Sequence, residues 1–453
     1  MILRRILIAN RGEIAARIIR TCQRLGIETI LAASEADLES VPAREADRTV
    51  CIGPAEPLGS YLNVEAIIAA ATACKAQAIH PGYGFLSENA RLADACRRAG
   101  VIFAGPGAEQ LEAVGDKLRA REHAVAVGLP VLPGGEVRDL AEARKLAAEI
   151  GYPLLVKAVA GGGGRGMKLV AEAAQFGTAF PLAMAEARVA FGDPRVYLEH
   201  YVPKGRHVEV QVLGDGEDVI HLGTRDCSAQ RRYQKLVEEA PAPQLRESLR
   251  EEMHRAAVRF AGHLKYKSLG TVEMLVDGER GTFYFLEMNA RIQVEHPVTE
   301  EICGLDLIEE QIAIAEGRKL RIKQNDVGFS GHAIECRINA EDWTQDFRPS
   351  PGAITHAEFP AGPGIRIDTH IQAGTSVPSY YDSLLAKLIV HGADREDALH
   401  KLRGALSGIT IAGIATNLKM HGELLQDEEF VRGGVSTDYL PRFLQNRVAV
   451  TAR

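Results

Sequence analysis

From Glu287 to Glu295 the chain alternates without a break: Glu287, Asn289, Arg291, Gln293 and Glu295 are polar, while Met288, Ala290, Ile292 and Val294 are apolar. A period of two separates the sets onto opposite faces of an extended segment. Extended throughout, the polar face runs for about 26 Å at ~3.3 Å per residue. Glu, Asn and Gln are poor strand formers, so propensity does not account for that face. Upstream, residues 270–276 and 282–287 read as two strands joined by the turn-rich 277–281. Folded symmetrically about Arg280, this hairpin pairs 273 with 287, 274 with 286 and 276 with 284. The first pair sets two carboxylates opposite each other, with Cβ atoms ~4.5–5.5 Å apart. Like charges so placed repel unless a cation lies between them. Hard oxygen donors, with the Asn289 amide two residues on, suit magnesium (or manganese) shared with substrate phosphates. A solvated hairpin in another register is the plain alternative.

Elsewhere the pattern predicts alternating strands and helices over the first hundred residues. Strands are expected at 6–9, 28–34, 76–80 and 101–104; a helix after Asn10 carries Ile14, Ile18, Cys22 and Leu25 on one face and stops at Gly26. This is the signature of an open, mostly parallel, Rossmann-like sheet. No Gly-x-Gly-x-x-Gly follows the first strand, which argues against a dinucleotide site there. His80-Pro-Gly-Tyr83-Gly-Phe-Leu-Ser-Glu88-Asn89 is a polar, glycine-bearing loop at a strand end, either a ligand contact or an ordinary turn.

From about residue 115 the texture changes. A helical stretch opens at Lys117, a helix follows at 140–150 and a strand at 152–157, and then comes Ala160-Gly-Gly-Gly-Gly-Arg165-Gly. Successive glycines place backbone N–H groups close to an anion, and Lys157 before them offers an ammonium to phosphate; the bland reading is a floppy hairpin. No P-loop is present. Beyond 330, strands at 331–339, 364–370 and 384–391 and helices at 395–406 and 414–425 predict a mixed α/β unit.

Length and composition narrow this picture without redirecting it. A chain of 453 residues accommodates roughly two to four domains. Net charge −7 gives no nucleic-acid or acidic-membrane footprint. No apolar run approaches the ~20 residues of a membrane span, and the first residues do not form a signal peptide. Seven scattered cysteines without Cys-x-x-Cys spacing indicate neither zinc nor a disulfide framework, so a reducing, cytoplasmic location is expected.

With these motifs assembled, the chain resembles the biotin carboxylase family of the ATP-grasp superfamily along nearly its whole length. The residues that carry the resemblance are 8–15, 80–89, the glycine loop, Arg206-His-Val-Glu-Val-Gln-Val212, Arg225-Asp-Cys-Ser-Ala-Gln-Arg-Arg232, 287–300 and Glu335-Cys-Arg-Ile-Asn-Ala-Glu-Asp342. The resemblance implies an N-terminal Rossmann-like domain (1–114), an ATP-grasp domain (115–330, with a mobile lid over about 131–203) and a C-terminal domain (331–453). It implies that ATP and bicarbonate form carboxyphosphate, and that the carboxyl group passes to biotin on a separate biotin carboxyl carrier protein. Carboxyltransferase subunits and a homodimer are implied as partners, most simply within acetyl-CoA carboxylase.

Carried over residue by residue, the family pattern places Lys117, Lys157, Gly163, Gly164, Glu199, His200, Tyr201, Val202, His207, Gln230, Tyr233, Glu273 and Glu287 at ATP. It places Lys235, Arg291, Gln293, Val294 and Glu295 at bicarbonate, Tyr83 and Arg337 at biotin, and Glu273, Glu287 and Asn289 at the metal. Arg291, Glu295, Lys235 and Arg337 are the implied catalytic set, with Glu295 as the base. Cys227 and Cys336 lie inside motifs but read as packing. Tyr233, Ala160 and Thr437-Asp438 depart from the common pattern, which weakens assignment of the parent complex. Two alternatives stand beside this: another ATP-grasp ligase joining a carboxylate to an amine, or a catalytically silent nucleotide-binding protein.

Overall fold

The computed structural model describes residues 2–160 and 166–451, the side chains of 448–451 excepted. The four strands expected near the N-terminus form as Arg5–Ile8 (β1), Glu28–Ala33 (β2), Ala78–His80 (β4) and Ile102–Phe103 (β5). A fifth, Arg48–Cys51 (β3), escapes the pattern because it is a short edge strand with no buried residue. All pair in parallel in the order β3-β2-β1-β4-β5. The first helix, Gly12–Arg24, buries Ile14, Ile18 and Cys22 against this sheet, which fixes the carboxyl edge where the His80 loop lies. Gly82 in that loop has φ +61°, and a Cβ there would stand 2.8 Å from Asn10 Nδ2. Only glycine lets the loop close onto Asn10, whose Nδ2 donates to the carbonyls of Pro81 and Tyr83 at 2.7 Å each. Tyr83 is placed by that clasp.

A separate four-stranded antiparallel sheet follows, built from Gly134–Val137 (β6), Leu154–Ala158 (β7), Met167–Val170 (β8) and Val196–His200 (β9) in the order β6-β9-β7-β8. Helices Leu140–Ile150 and Ala173–Phe191 pack on it around Phe176, Phe180 and Leu198. The glycine-loop positions Gly163 and Gly164 lie outside the described residues.

The largest sheet has eight strands. Arg206–Asp215 (β10), Val219–Arg231 (β11), Gln234–Ala240 (β12), Lys267–Asp277 (β13), Thr282–Asn289 (β14) and His332–Asn339 (β15) are joined by strands Leu384–Gly392 and Ile365–Thr369. The order is β14-β13-β10-β11-β12-β15, then 384–392, then 365–369. Every adjacent pair is antiparallel. One sheet therefore runs unbroken from the central region into the C-terminal one, across the β12–β15 pairing.

The structure corrects two expectations. The polar alternation from Glu287 does not remain a strand: β14 ends at Asn289, and Glu295 caps the helix His296–Cys303. Glu88, from the N-terminal unit, accepts hydrogen bonds from Ala290 N and Arg291 Nε at 2.9 Å each, drawing the chain out of the sheet. The hairpin register is correct at Glu273↔Glu287, but a bulge after Glu273 shifts the rest to Met274↔Phe285 and Val276↔Phe283. Such a bulge adds one residue to one strand and displaces every later pairing.

The C-terminal region is tied to the sheet by ions as well as by its apolar core. Glu239 of β12 meets Arg395 Nε at 2.7 Å and His332 Nε2 at 2.9 Å, all buried or nearly so. Burial alone would raise the Glu239 pKa, but the hydrogen bonds and charges of His332 and Arg395 bring it down to about 2. A depressed acid pKa adds stability that is full above the unfolded value and fades as pH falls toward the folded one. Glu239→Gln is expected to lower unfolding free energy by about 3 kcal/mol at pH 7, with a smaller difference from the parent at pH 4. Urea unfolding at the two pH values measures this.

Candidate active site

The sheet's polar residues converge on one buried patch. His207, Glu209 and Gln211 share a face of β10, flanked by Thr271 and Glu273 on β13 and Arg225 on β11. Valines 208, 210 and 212 take the opposite face into the core. Arg225 and Glu209 are fully buried and meet at 2.6 Å. Arg225 also donates to Gln211 (2.7 Å), Thr299 (2.9 Å) and Thr271 (3.1 Å). A buried pair broken on one side costs about 3–5 kcal/mol, so this fully bonded guanidinium acts as a rigid floor.

Lys235 rises above it, two residues after the Arg232-Tyr233 turn. Both turn residues have positive φ (47° and 66°), the geometry of a two-residue type I′ hairpin. The turn folds Gln230 opposite Lys235 and leaves Tyr233 half exposed. Lys235 Nζ contacts three carboxylates: Glu295 at 2.6 Å, Glu209 at 2.7 Å and Glu273 at 3.0 Å. Burial opposes its charge, but these acids hold its pKa well above the ordinary lysine value.

Glu295 is the junction. One oxygen takes Lys235, and the other takes Arg337 Nη2 at 2.9 Å from β15. Arg337 also gives Nε to Glu238 at 2.6 Å. Burial would raise the Glu295 pKa; Lys235, Arg337 and Arg225 instead hold it well below the carboxylate range. Nearby, Arg291 Nη1 donates to Gln293 Oε1 at 2.8 Å and Arg291 Nη2 to Asn289 Oδ1 at 2.9 Å. The Val294 carbonyl accepts from the fully buried Lys387 at 2.9 Å.

Glu273 and Glu287 face each other across the bulged hairpin. Glu273 accepts from Asn289 Nδ2 at 2.9 Å and Gln293 Nε2 at 3.2 Å, and His207 Nε2 lies 3.1 Å from it. Burial pushes Glu273 up, yet Lys235 and His207 hold it well below the usual range. Glu287 goes the other way, raised first by burial and then by Glu273, with Lys117 opposing. Among the described residues Glu287 has no cation at ion-pair distance. An all-oxygen set of two opposed carboxylates and an amide, one carboxylate lacking a counter-charge, fits a hard divalent ion. His207, Glu209 and Glu273 also cluster within metal-ligand reach, as do Glu209, Cys227 and Glu295; the Lys235 ammonium bridges Glu209, Glu273 and Glu295, and Glu287 belongs to neither cluster.

Other nucleotide candidates gather at the edge of the smaller sheet. Lys157 on β7 forms an ion pair with Glu199 on β9 and lies 5.7 Å from the Tyr197 ring. His200, Tyr201 and Val202 continue from that strand. Lys117 opens its helix directly after the capping residue Asp116. On the far side Tyr83 hydrogen-bonds Glu13, whose other oxygen lies 3.1 Å from Lys387. Sequence reasoning leaves Glu209, Glu88, Glu238, Glu13 and Lys387 without roles. For Glu209 a signal exists: His207, Glu209 and Gln211 alternate with three valines.

Comparison with known proteins fits this arrangement. Residues 2–111 match the biotin carboxylase N-terminal domain model, 116–323 the carbamoyl-phosphate synthase L chain ATP-binding domain, and 335–442 the biotin carboxylase C-terminal domain. The chain is 49% identical to a biotin carboxylase of Pseudomonas aeruginosa, covering 98% of this chain and 99% of that one. It is 46% identical to a pyruvate carboxylase subunit of Methanothermobacter thermautotrophicus, covering 97% and 90%. The Campylobacter jejuni biotin carboxylase–β,γ-ATP complex superposes with a TM-score of 0.94 at 45% identity, covering 97% and 99%. The biotin carboxylase domain dimer of Hydrogenobacter thermophilus 2-oxoglutarate carboxylase, solved with MgADP, ADP and bicarbonate, also gives 0.94, at 44% identity and 98% of both chains. By the likeness of all three regions and of the whole fold, the chain belongs to the biotin carboxylase family.

Proposed function

We propose that this protein uses ATP and bicarbonate to carboxylate biotin carried on a separate carrier protein, releasing ADP and phosphate. The observation that carries this is Glu295, one carboxylate bridging Lys235 and Arg337 from two neighbouring strands. That bridge joins an anion pocket to a permanent cation on the acceptor side, which an amide-forming ligase has no need for. Glu273 and Glu287, with the oxygen of Asn289, would hold Mg²⁺, which neutralises charge on the nucleotide phosphates. Lys117, Lys157, His207 and the 199–202 segment bind ATP, with Gln230 and Tyr233 at its border. The sheet over residues 134–200 serves as the lid of an ATP-grasp domain between N- and C-terminal domains.

Bicarbonate enters beside Lys235, Arg291, Gln293 and Val294. An arginine clamps a small oxyanion in two places, and Lys235 adds a point charge. Glu295 takes the bicarbonate proton as its oxygen attacks the γ-phosphorus, breaking the bond to ADP and giving carboxyphosphate. In the free protein Glu295 is a weak base, because two cations hold it ionised. Substrates divide those cations: bicarbonate claims Lys235 and biotin claims Arg337, and the carboxylate regains basicity. Carboxyphosphate then parts into carbon dioxide and phosphate. The phosphate removes the ureido proton, and Arg337 holds the enolate that attacks carbon dioxide.

A cytoplasmic homodimer working with a carrier and carboxyltransferase subunits follows from the same reading. Among the described residues no helix is long and apolar enough to cross a membrane. We place the chain most simply in acetyl-CoA carboxylase, as the family resemblance implies. ATP cleavage measured with and without bicarbonate and free biotin tests the reaction. It is expected to require bicarbonate and to accelerate with biotin; a requirement for an amine, with indifference to biotin, would overturn it.

A further inference from the structure

Behind Arg337 lies a second acidic pair that the reaction does not use. Glu238 on β12 stands directly opposite Glu335 on β15, and both residues are fully buried. Glu238 Oε1 receives Arg337. Its Oε2 and both oxygens of Glu335 have no hydrogen-bond donor among the described residues. The charged groups facing this pair are known from each element packed on it. Lys387, on the neighbouring strand 384–392, spends its ammonium on the Val294 carbonyl and Glu13. On the helix His296–Cys303 and its cap stand Glu295, already bonded to Lys235 and Arg337, and His296, whose pKa burial holds well below the ordinary value. Among the described residues no cation bonds Glu335; Lys387 and Arg337 act on it only through space.

Two ionised carboxylates so placed would be an uncompensated buried charge beside three unsatisfied oxygens. A single proton removes the second charge and satisfies two of the three oxygens, because a carboxylic acid is a donor where a carboxylate only accepts. We propose that Glu335 is a positioning residue: a neutral carboxylic acid that donates to Glu238 Oε2 and so keeps Arg337 aimed at biotin. Burial, reinforced by Glu238 and Glu295 and opposed by Lys387, raises Glu335 well above the carboxylate range. Burial also lifts Glu238, to about 7, with Arg337 opposing. The proton is placed on Glu335 because Glu238 already holds Arg337 through Oε1 while neither Glu335 oxygen has a partner. Losing that proton at alkaline pH makes a second anion that competes for Arg337. Biotin use should then fail while bicarbonate-dependent ATP cleavage continues.

This rests on Arg337 being the biotin-holding group, and the experiment separates the two. kcat/KM for free biotin, and ATP cleavage with bicarbonate alone, are measured against pH for the parent, Glu335→Gln, Glu335→Leu and Arg337→Ala. Glutamine supplies a permanent N–H donor, so Glu335→Gln should stay within about threefold of the parent near neutrality and lose the parent's alkaline decline in biotin use. Leucine supplies none, so Glu335→Leu should lose about tenfold or more in kcat/KM for biotin with ATP cleavage little changed. An infrared carboxylic-acid band present in the parent and absent from Glu335→Gln would report the proton directly, even if the leucine variant fails to fold. The inference is overturned if Glu335→Gln keeps the alkaline decline or loses tenfold at neutral pH, if Glu335→Leu matches the parent, or if no such band exists. If Arg337→Ala itself leaves biotin use unchanged, the underlying assignment falls instead.

Discussion

Glu295→Gln lowers biotin-dependent turnover by on the order of 10³-fold while nucleotide affinity stays within about threefold. The substitution keeps the volume and one acceptor oxygen, so neither a cavity nor a collapsed pocket explains the loss. It removes the carboxylate that touches both Lys235 and Arg337, at 2.6 and 2.9 Å. Proton removal from bicarbonate then has no acceptor within reach. Nucleotide binding survives because its candidate residues are held independently: Lys157 and Glu199 pair with each other on the smaller sheet, and Lys117 sits at the start of its own helix. Steady-state kinetics together with calorimetric titration of ATP give both quantities on the same sample. Unchanged turnover would remove Glu295 from the role of base.

Glu287→Gln is expected to act in two directions at once. Without divalent metal the variant should be more stable than the parent, because the amide relieves repulsion from Glu273. Facing like charges on a β-pair cost roughly 0.2–1 kcal/mol. The sign agrees with the raised pKa of Glu287. An acid pushed upward favours folding at low pH and loses that contribution as pH rises through its folded value, so the ionised pair weakens the fold near neutrality. With metal and ATP the order inverts. The parent should gain stability on binding, whereas the variant should gain little and turn over about 100-fold more slowly. Thermal unfolding in chelator and then in Mg²⁺ with ATP reads both effects. A variant that melts below the parent in chelator, or that keeps full metal-dependent turnover, would refute the metal assignment.

The facing of Glu273 and Glu287 is legible in the sequence by counting about Arg280, although the turn-side pairs from Asp277↔Thr282 to Met274↔Phe285 lie one residue off that count and the bulge is what brings the two opposite. The bulge beyond Glu273 is not legible, since it rearranges hydrogen bonds without a compositional mark; neither Met274 nor Phe285 signals it. The alternation through Glu295 predicts one extended strand, and there the pattern misleads. What ends the strand is Glu88, 202 residues away from Ala290 in sequence, and no local pattern encodes that contact. The buried charges Glu209, Glu238, Glu335 and Lys387 are hidden for a related reason. A charged residue in an alternating strand looks like a solvent face until the neighbouring strands supply its partners.

The unbroken ladder across β12 and β15 has a consequence for timing. Lys235 and Arg337 stand on neighbouring strands of one sheet, just beyond the end of their ladder at Val237↔Cys336, and paired strands run ~4.8 Å apart. In the proposed reaction, a short-lived acyl phosphate formed beside Lys235 would not need to diffuse to reach Arg337. The smaller sheet, which holds Lys157, is separate from this ladder, so the lid movement proposed for it would leave that gap unstretched. Opening to exchange nucleotide and holding a perishable intermediate in place are thereby assigned to different pieces of backbone.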